Sequence, residues 1–162
     1  MDIVISRYII ILFIIYTNGK SSENNNLKKI RLNKKIKVAV QGFPGCFHQE
    51  AAEKYYSQDI DIVSATTFNE LIKIAENITG EVYLKINQHL LAIPGTRIED
   101  MQEVHSHPMA ILQTADFFET FPHIKLIETI DTALSAKEVA DRDSKTIGAI
   151  ASEMAANIYG LS

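Results

Sequence analysis

The chain has 162 residues, with 16 Lys and Arg against 20 Asp and Glu, a formal net charge of −4. That balance excludes a general nucleic-acid binder, and the length suits one domain able to bury its own core. The single cysteine, Cys46, excludes an internal disulfide and a cysteine-only zinc site.

Residues 1–35 differ in composition from everything after them. Ile3–Tyr16 is strongly apolar, with Arg7 interrupting it. The apolar run from Tyr8 to Tyr16 is too short to span a bilayer. It matches the apolar centre of a signal peptide, but Asp2 offsets Arg7 and no small-residue cleavage site follows. Asn18–Lys35 is polar and predicts a disordered linker, and the Lys28–Lys35 cluster within it a solvated one. Three alternatives stand: a leader, a weak membrane anchor in which residues 3–16 make the contact, or an extension from a misplaced start codon. The last is favoured, because the remainder has the character of a cytoplasmic protein. Residues 1–35 are then expected to pack against nothing.

From Ile36 the chain alternates strand and helix signals. Val38, Ala39 and Val40 predict a buried strand, Gly42, Pro44 and Gly45 a turn, and Ala51, Ala52, Tyr55 and Tyr56 a helix. A strand that turns through glycines into a helix leaves backbone N–H groups free at the helix start, where anions bind. Ile60–Val63 predicts a second strand. Thr67 and Glu70 form a capping box for a helix carrying Phe68, Leu71, Ile72 and Ala75 on one face. Val82–Ile93 is a long extended candidate closed by Pro94 and Gly95. Val104–Ser106 is a short strand, and Pro108 suits the first turn of a helix with Ile111, Leu112, Ala115 and Phe118 on one face. Ile124–Ile127 is a strand, and Asp131 caps the helix carrying Leu134, Val139 and Ala140. Thr146–Ala151 is a buried strand, and Ser152 caps a last helix stopped by Gly160. The alternation predicts an α/β fold with a largely parallel sheet.

Three strand-to-helix junctions carry small polar residues: Gly45–Phe47, Ser106–Pro108 and Ala151–Ser152. In open α/β sheets ligands bind beyond the carboxyl ends of strands. Ser106 and Ser152 also fit plain helix caps. His105 and His107 share a strand face and could in principle bind metal, but no metal site is expected. Cys46 fits either a reactive thiol at a helix start or a small buried one.

Gln41–Ala52 resembles the opening motif of the prephenate dehydratases, with Cys46 where Ser or Ala is usual. The resemblance runs in order through Thr67–Leu71, Gly80–Leu84, His89–Gly95, Val104–Leu112, Glu128–Ala136 and Ala149–Ala156. It implies two lobes of the type II periplasmic-binding-protein kind with the site between them. Residues 36–77 would be an incomplete lobe one and 80–161 lobe two, the better formed of the pair. It implies conversion of prephenate to phenylpyruvate with loss of water and carbon dioxide, in phenylalanine biosynthesis, without metal or cofactor. By the same resemblance, Gly45, Cys46 and Phe47 from lobe one, and Ser106, His107 and Ser152 from lobe two, bind this small dicarboxylate. A homodimer, as in the family, and a cytoplasmic location are the accompanying expectations; nucleic acid is not an expected partner.

Three departures accompany the resemblance. The family's Glu-Asn-Ser segment is absent between Asn77 and Gly80, where a strand and helix are expected. Its Thr-Arg-Phe motif, whose Thr is the proposed general acid, does not occur before Ser162, and neither does a regulatory ACT domain. No catalytic residue is therefore identified, and lobe one is expected to expose an unpaired sheet edge. The alternative is an inactive fragment that at most binds a small carboxylate.

Overall fold

A computed structural model of the chain describes residues 4–16, 36–56, 59–74 and 77–162, with the backbone alone for 4–16 and 77–83. The elements are β1 (Val4–Tyr16), β2 (Ile36–Gln41), α1 (Phe47–Tyr56), β3 (Ile60–Ala65), α2 (Phe68–Ile74), β4 (Asn77–Ala92), β5 (Glu103–Ser106), α3 (Pro108–Phe118), β6 (Lys125–Glu128), α4 (Thr132–Arg142), β7 (Ile147–Ala151) and α5 (Glu153–Tyr159), with a single 3₁₀ turn at Ile98–Asp100. None of the described helices is long and apolar enough to cross a membrane.

The strands form one sheet in the order β3-β2-β1-β4-β7-β5-β6. Its flanks are parallel, β2 with β3 on one side and β5 with β6 and β7 on the other. Its centre is antiparallel: β1 pairs with β2 and β4, and β4 with β7. The largely parallel sheet expected from the alternation is thus two parallel half-sheets joined by an antiparallel middle. β4 makes the join. Its sixteen residues run from the β1 ladder at Asn77 to the β7 ladder at Ala92, a reach of about 50 Å in extended chain.

β1 corrects the expectation that residues 1–35 pack against nothing. Val4 lies opposite His89 and Tyr16 opposite Asn77, with register shifts between Ser6 and Tyr8 and between Ile14 and Ile15. Ile15 and Tyr16 also lie opposite Ala39 and Val38. A second, two-pair ladder therefore reaches β2, in the half of the sheet where an unpaired edge was expected. An apolar run of nine residues fits an interior strand as well as a leader, and composition does not separate the two. The predicted linker lies outside the described residues.

The helices form where their caps predict. Thr67 Oγ1 accepts the Glu70 amide at 3.1 Å, while the Glu70 carboxylate reaches the Thr66 amide at 2.8 Å, one residue earlier than a strict capping box. Asp131 Oδ1 accepts the Leu134 amide at 2.8 Å, and Ser152 Oγ the Ala155 amide at 3.0 Å. On α3 the cap is His107, not Ser106: its Nδ1 accepts the Met109 amide at 3.2 Å.

Two predicted helix faces are corrected. On α3 the buried residues are Ala110, Thr114 and Phe118, and Leu112 is 70 % exposed. On α2 only Leu71 is buried, and Phe68 and Ile72 face solvent. One core holds the two halves together: Val38 and Val40 of β2 and Ala52 of α1 pack with Ala133, Ala136 and Val139 of α4 and Ala155 of α5. A second lies under α3, around Val104, Ala110, Phe118 and Ile150.

Candidate functional site

Both half-sheets point the carboxyl ends of their parallel strands at one cavity of about 340 Å³. Gln41 ends β2, Gly42 and Phe43 follow it, and Thr66 follows β3. Opposite them, His107 follows β5 and Ile130 and Asp131 follow β6. Ile86 and Gln88 of β4 line it between these ends. The start of α1 completes the walls with Cys46, Phe47 and His48, and the first two turns of α3 with Met109, Ala110 and Gln113. A crevice at the carboxyl ends of parallel strands is where α/β sheets bind ligands.

The glycine loop is held tightly to α5. Gly42 and Gly45 have φ of +119° and +89°, values that a side chain strains. Ser152 Oγ donates to Gly45 O at 2.6 Å, and Tyr159 OH to Pro44 O at 2.8 Å. The loop therefore presents Cys46, Phe47 and His48 from a fixed base.

Cys46 is buried and its Sγ donates to Gln41 O at 3.5 Å. Burial pushes its thiol up from 9.0 to about 11; the His48 and Gln49 amides pointing at the sulfur offset this only in part, and Asp131 adds to it. The thiol reading, not the thiolate, holds at neutral pH. Alkylation by iodoacetamide at pH 8 is expected to run about 100-fold slower than in the urea-unfolded chain, the ratio of thiolate fractions for 11 against 9.0. Timed mass spectrometry checks this, and equal rates would refute it. The sign for stability follows: the raised thiol favours the fold fully below pH 9, and that contribution is lost as pH rises towards 11. His48 shifts the other way. Burial holds its imidazole below the ordinary value, and the Asp131 carboxylate pulls it back in part.

Of the six residues singled out in the sequence, Cys46, Phe47 and His107 line the cavity. The other three stand outside its lining. Gly45 carries the turn, Ser152 caps α5 while tying it to Gly45, and Ser106 Oγ donates to Ile150 O at 2.6 Å, fully buried between strands. His105 faces Glu103 at 3.1 Å rather than sharing a site with His107. Among the described residues no cluster of His, Cys, Asp or Glu is placed to hold a metal.

Sequence reasoning passed over His48, Gln88, Gln113 and Asp131 as wall residues. Gln88 did leave a signal. It shares strand parity with Leu84 and Ile86, both buried, and so is a polar residue on an apolar face. It is only 5 % exposed, and its Nε2 donates to Gln113 Oε1 at 3.1 Å, while its Oε1 has no partner.

Comparison with known proteins gives this geometry a lineage. The prephenate dehydratase family profile matches residues 71–162. An arogenate dehydratase/prephenate dehydratase from Arabidopsis thaliana is 30 % identical over 158 residues, covering 78 % of this chain and 40 % of the relative. The chain thus spans less than half the length of that relative. Among solved structures, a prephenate dehydratase from Arthrobacter aurescens superposes with a TM-score of 0.69 at 19 % identity, over 76 % of this chain and 52 % of that one. A quorum-quenching acylase, GqqA, gives 0.67 at 23 % identity, over 76 % and 56 %. These likenesses show the type II periplasmic-binding-like fold; chemistry is not read from them. The profile covers more than half of the chain, and on that ground the chain belongs to the prephenate dehydratase family.

Proposed function

We propose that the cavity is the substrate cleft of a dehydratase acting on prephenate or its amino counterpart, with residues 36–77 and 80–161 as the two lobes. The observation that carries this is the shared cavity. Four strand ends from both half-sheets meet there, and the wall includes Cys46, Phe47 and His107 from two of the motifs that resemble the family. Its 340 Å³ suits a small ring-bearing acid. Phe47, Ile86 and Met109 supply apolar wall for a ring, and His107, with Nδ1 taken by the Met109 amide, has Nε2 left as its donor.

The chemistry asks for more than a cleft. Hydroxide is a poor leaving group, so the departing ring hydroxyl needs a proton, while carboxylate loss and aromatisation drive the reaction. A positioned acid is worth about 10²–10⁴ in rate. His107 is read as a positioning group, and none of the wall residues is assigned as the acid. The 162-residue chain is therefore expected to bind substrate without measurable turnover. An assay for phenylpyruvate tests this, with His107→Ala as control. Turnover at the rate of an intact family enzyme, abolished by His107→Ala, would show that these residues carry the reaction; silence in the assay together with retained binding supports a binding module.

A further inference from the structure

We infer that the Gln88 amide oxygen, at the floor of the cleft, receives the hydrogen of the substrate's ring hydroxyl, so that the ligand lies hydroxyl-first with its carboxylates toward the mouth. This rests on the dehydratase reading and adds to it the direction in which the ligand lies.

The first observation is an acceptor without a donor. Among the described residues, the buried side-chain oxygens that lack a hydrogen-bond partner are Asn87 Oδ1, Gln88 Oε1 and Thr96 Oγ1, and of these only Gln88 lines the cavity. Its Nε2 donates to Gln113 Oε1 at 3.1 Å, which leaves the oxygen as the free end of the amide. Leu84, Ile86 and Leu90 share its face of β4 and pack into apolar clusters. A lone acceptor buried among them is costly to the fold, and a ligand donor offsets that cost.

The second observation is depth. Ile86 and Gln88 are 2 % and 5 % exposed, whereas Met109 and Ile130, which also line the cavity, are 55 % and 76 % exposed. β4 is therefore the floor, and the start of α3 with the turn before α4 is the rim. An ionised carboxylate loses far more than a hydroxyl when it leaves water. The charged ends of the ligand accordingly stay at the rim, and its uncharged hydroxyl goes to the floor.

The chemistry of the substrate gives the same direction. At neutral pH prephenate carries two carboxylates and a keto group, which only accept hydrogen bonds, and one donor, the ring hydroxyl. Gln88 Oε1 set against any of the three acceptors would stay unpaired. The ring hydroxyl is also common to prephenate and its amino counterpart, and phenylpyruvate lacks it. The contact is thus made by the substrate and lost when the hydroxyl departs as water, which favours release of the product. Donation into the amide leaves the lone pairs of the hydroxyl oxygen open to the proton that its departure needs.

4-Hydroxyphenylpyruvate and phenylpyruvate differ in one ring hydroxyl, so the pair isolates this contact. Calorimetric titration of the 162-residue chain at pH 7.5 is expected to give the hydroxylated acid about tenfold tighter binding, the scale of one hydrogen bond to an otherwise unpaired buried acceptor. Gln88→Met, similar in length and without the acceptor, should bring the two within about twofold and weaken prephenate by about tenfold. The same change should raise the melting temperature of the free chain by about 2–4 °C, because the unpaired acceptor is gone. Gln88→Leu repeats the comparison with a shorter apolar side chain. Equal binding of the two acids, or prephenate affinity unchanged by Gln88→Met, overturns the inference and leaves the dehydratase reading standing. No binding of prephenate overturns both.

Discussion

A chain that begins at Ile36 is expected to lose its cooperative melting transition. β1 lies inside the sheet, fourth from neither edge but third from the β3 side, between β2 and β4. Its ladder with β4 runs from Val4–His89 to Tyr16–Asn77. Removing it opens the long edge of β4 and the end of β2 at the same time, and leaves the β2–β3 pair without a strand connecting it to β4. Exposed edges of that length invite pairing with other chains. A domain of this size holds only about 5–15 kcal/mol in reserve, and the loss of an interior strand with both its ladders exceeds any single-site change. The cleft suffers with it, because Ile5 and Tyr8 lie opposite Gln88 and Ile86, the β4 residues in its wall. Circular dichroism against temperature, with light scattering to register aggregation, reads the outcome. Melting within about 2 °C of the full chain, roughly the shift of a single mild substitution, would show that β1 is dispensable.

The strand and helix order from Ile36 onward was legible in the sequence, because periods of 2 and 3.6 and the caps Thr67, Asp131 and Ser152 are local signals. β1 was not legible as a strand. Its partners run from Val38, the residue opposite Tyr16, to His89, opposite Val4, and nothing local to Val4–Tyr16 names them. The α3 face was misjudged for a related reason. Leu112 fits the apolar stripe, but the core beneath α3 is met by Ala110, Thr114 and Phe118, a rotation that depends on how the helix lies across β5 and β7. At the site, hydroxyls at strand ends marked the right region and the wrong atoms. Ser106 and Ser152 sit at the junctions the sequence indicates, yet each gives its proton to a buried carbonyl, of Ile150 and Gly45. A small hydroxyl at a junction serves equally to satisfy backbone or to hold a ligand, and its direction is set by tertiary packing. Asp131 was visible as a cap, while its place in the cleft wall depends on the approach of the Gly42 loop, which only the fold supplies.

Gly45→Ala is expected to be the most damaging single substitution in the loop, costing about 3 kcal/mol, the sum of two separable terms. One is backbone: φ at Gly45 is +89°, where a residue with a Cβ is strained by about 1–2 kcal/mol. The other is space. A Cβ at Gly45 would stand 2.9 Å from Ala155 Cα and 3.1 Å from Ala155 Cβ. The obstacle is helix backbone, so α5 as a whole has to retreat. That retreat pulls on the Ser152–Gly45 and Tyr159–Pro44 hydrogen bonds, which fix the loop to α5. Gly95 separates the terms. Its φ is +80°, nearly the same, but the nearest atom to its Cβ would be Lys145 Nζ at 3.8 Å, the mobile end of a flexible side chain. Gly95→Ala therefore carries the backbone term alone and should lower the melting temperature by about 2–6 °C, against roughly 6–12 °C for Gly45→Ala. Ligand affinity adds a second reading. Cys46, Phe47 and His48 are carried by the Gly45 turn, so Gly45→Ala should weaken binding in the cleft even at temperatures where the chain stays folded, whereas Gly95, on the far side of β4 from the loop in sequence and outside the cavity lining, should leave it unchanged. Equal melting temperatures for the two variants would mean that α5 yields to the added methyl at no cost, and that the loop is not held against it.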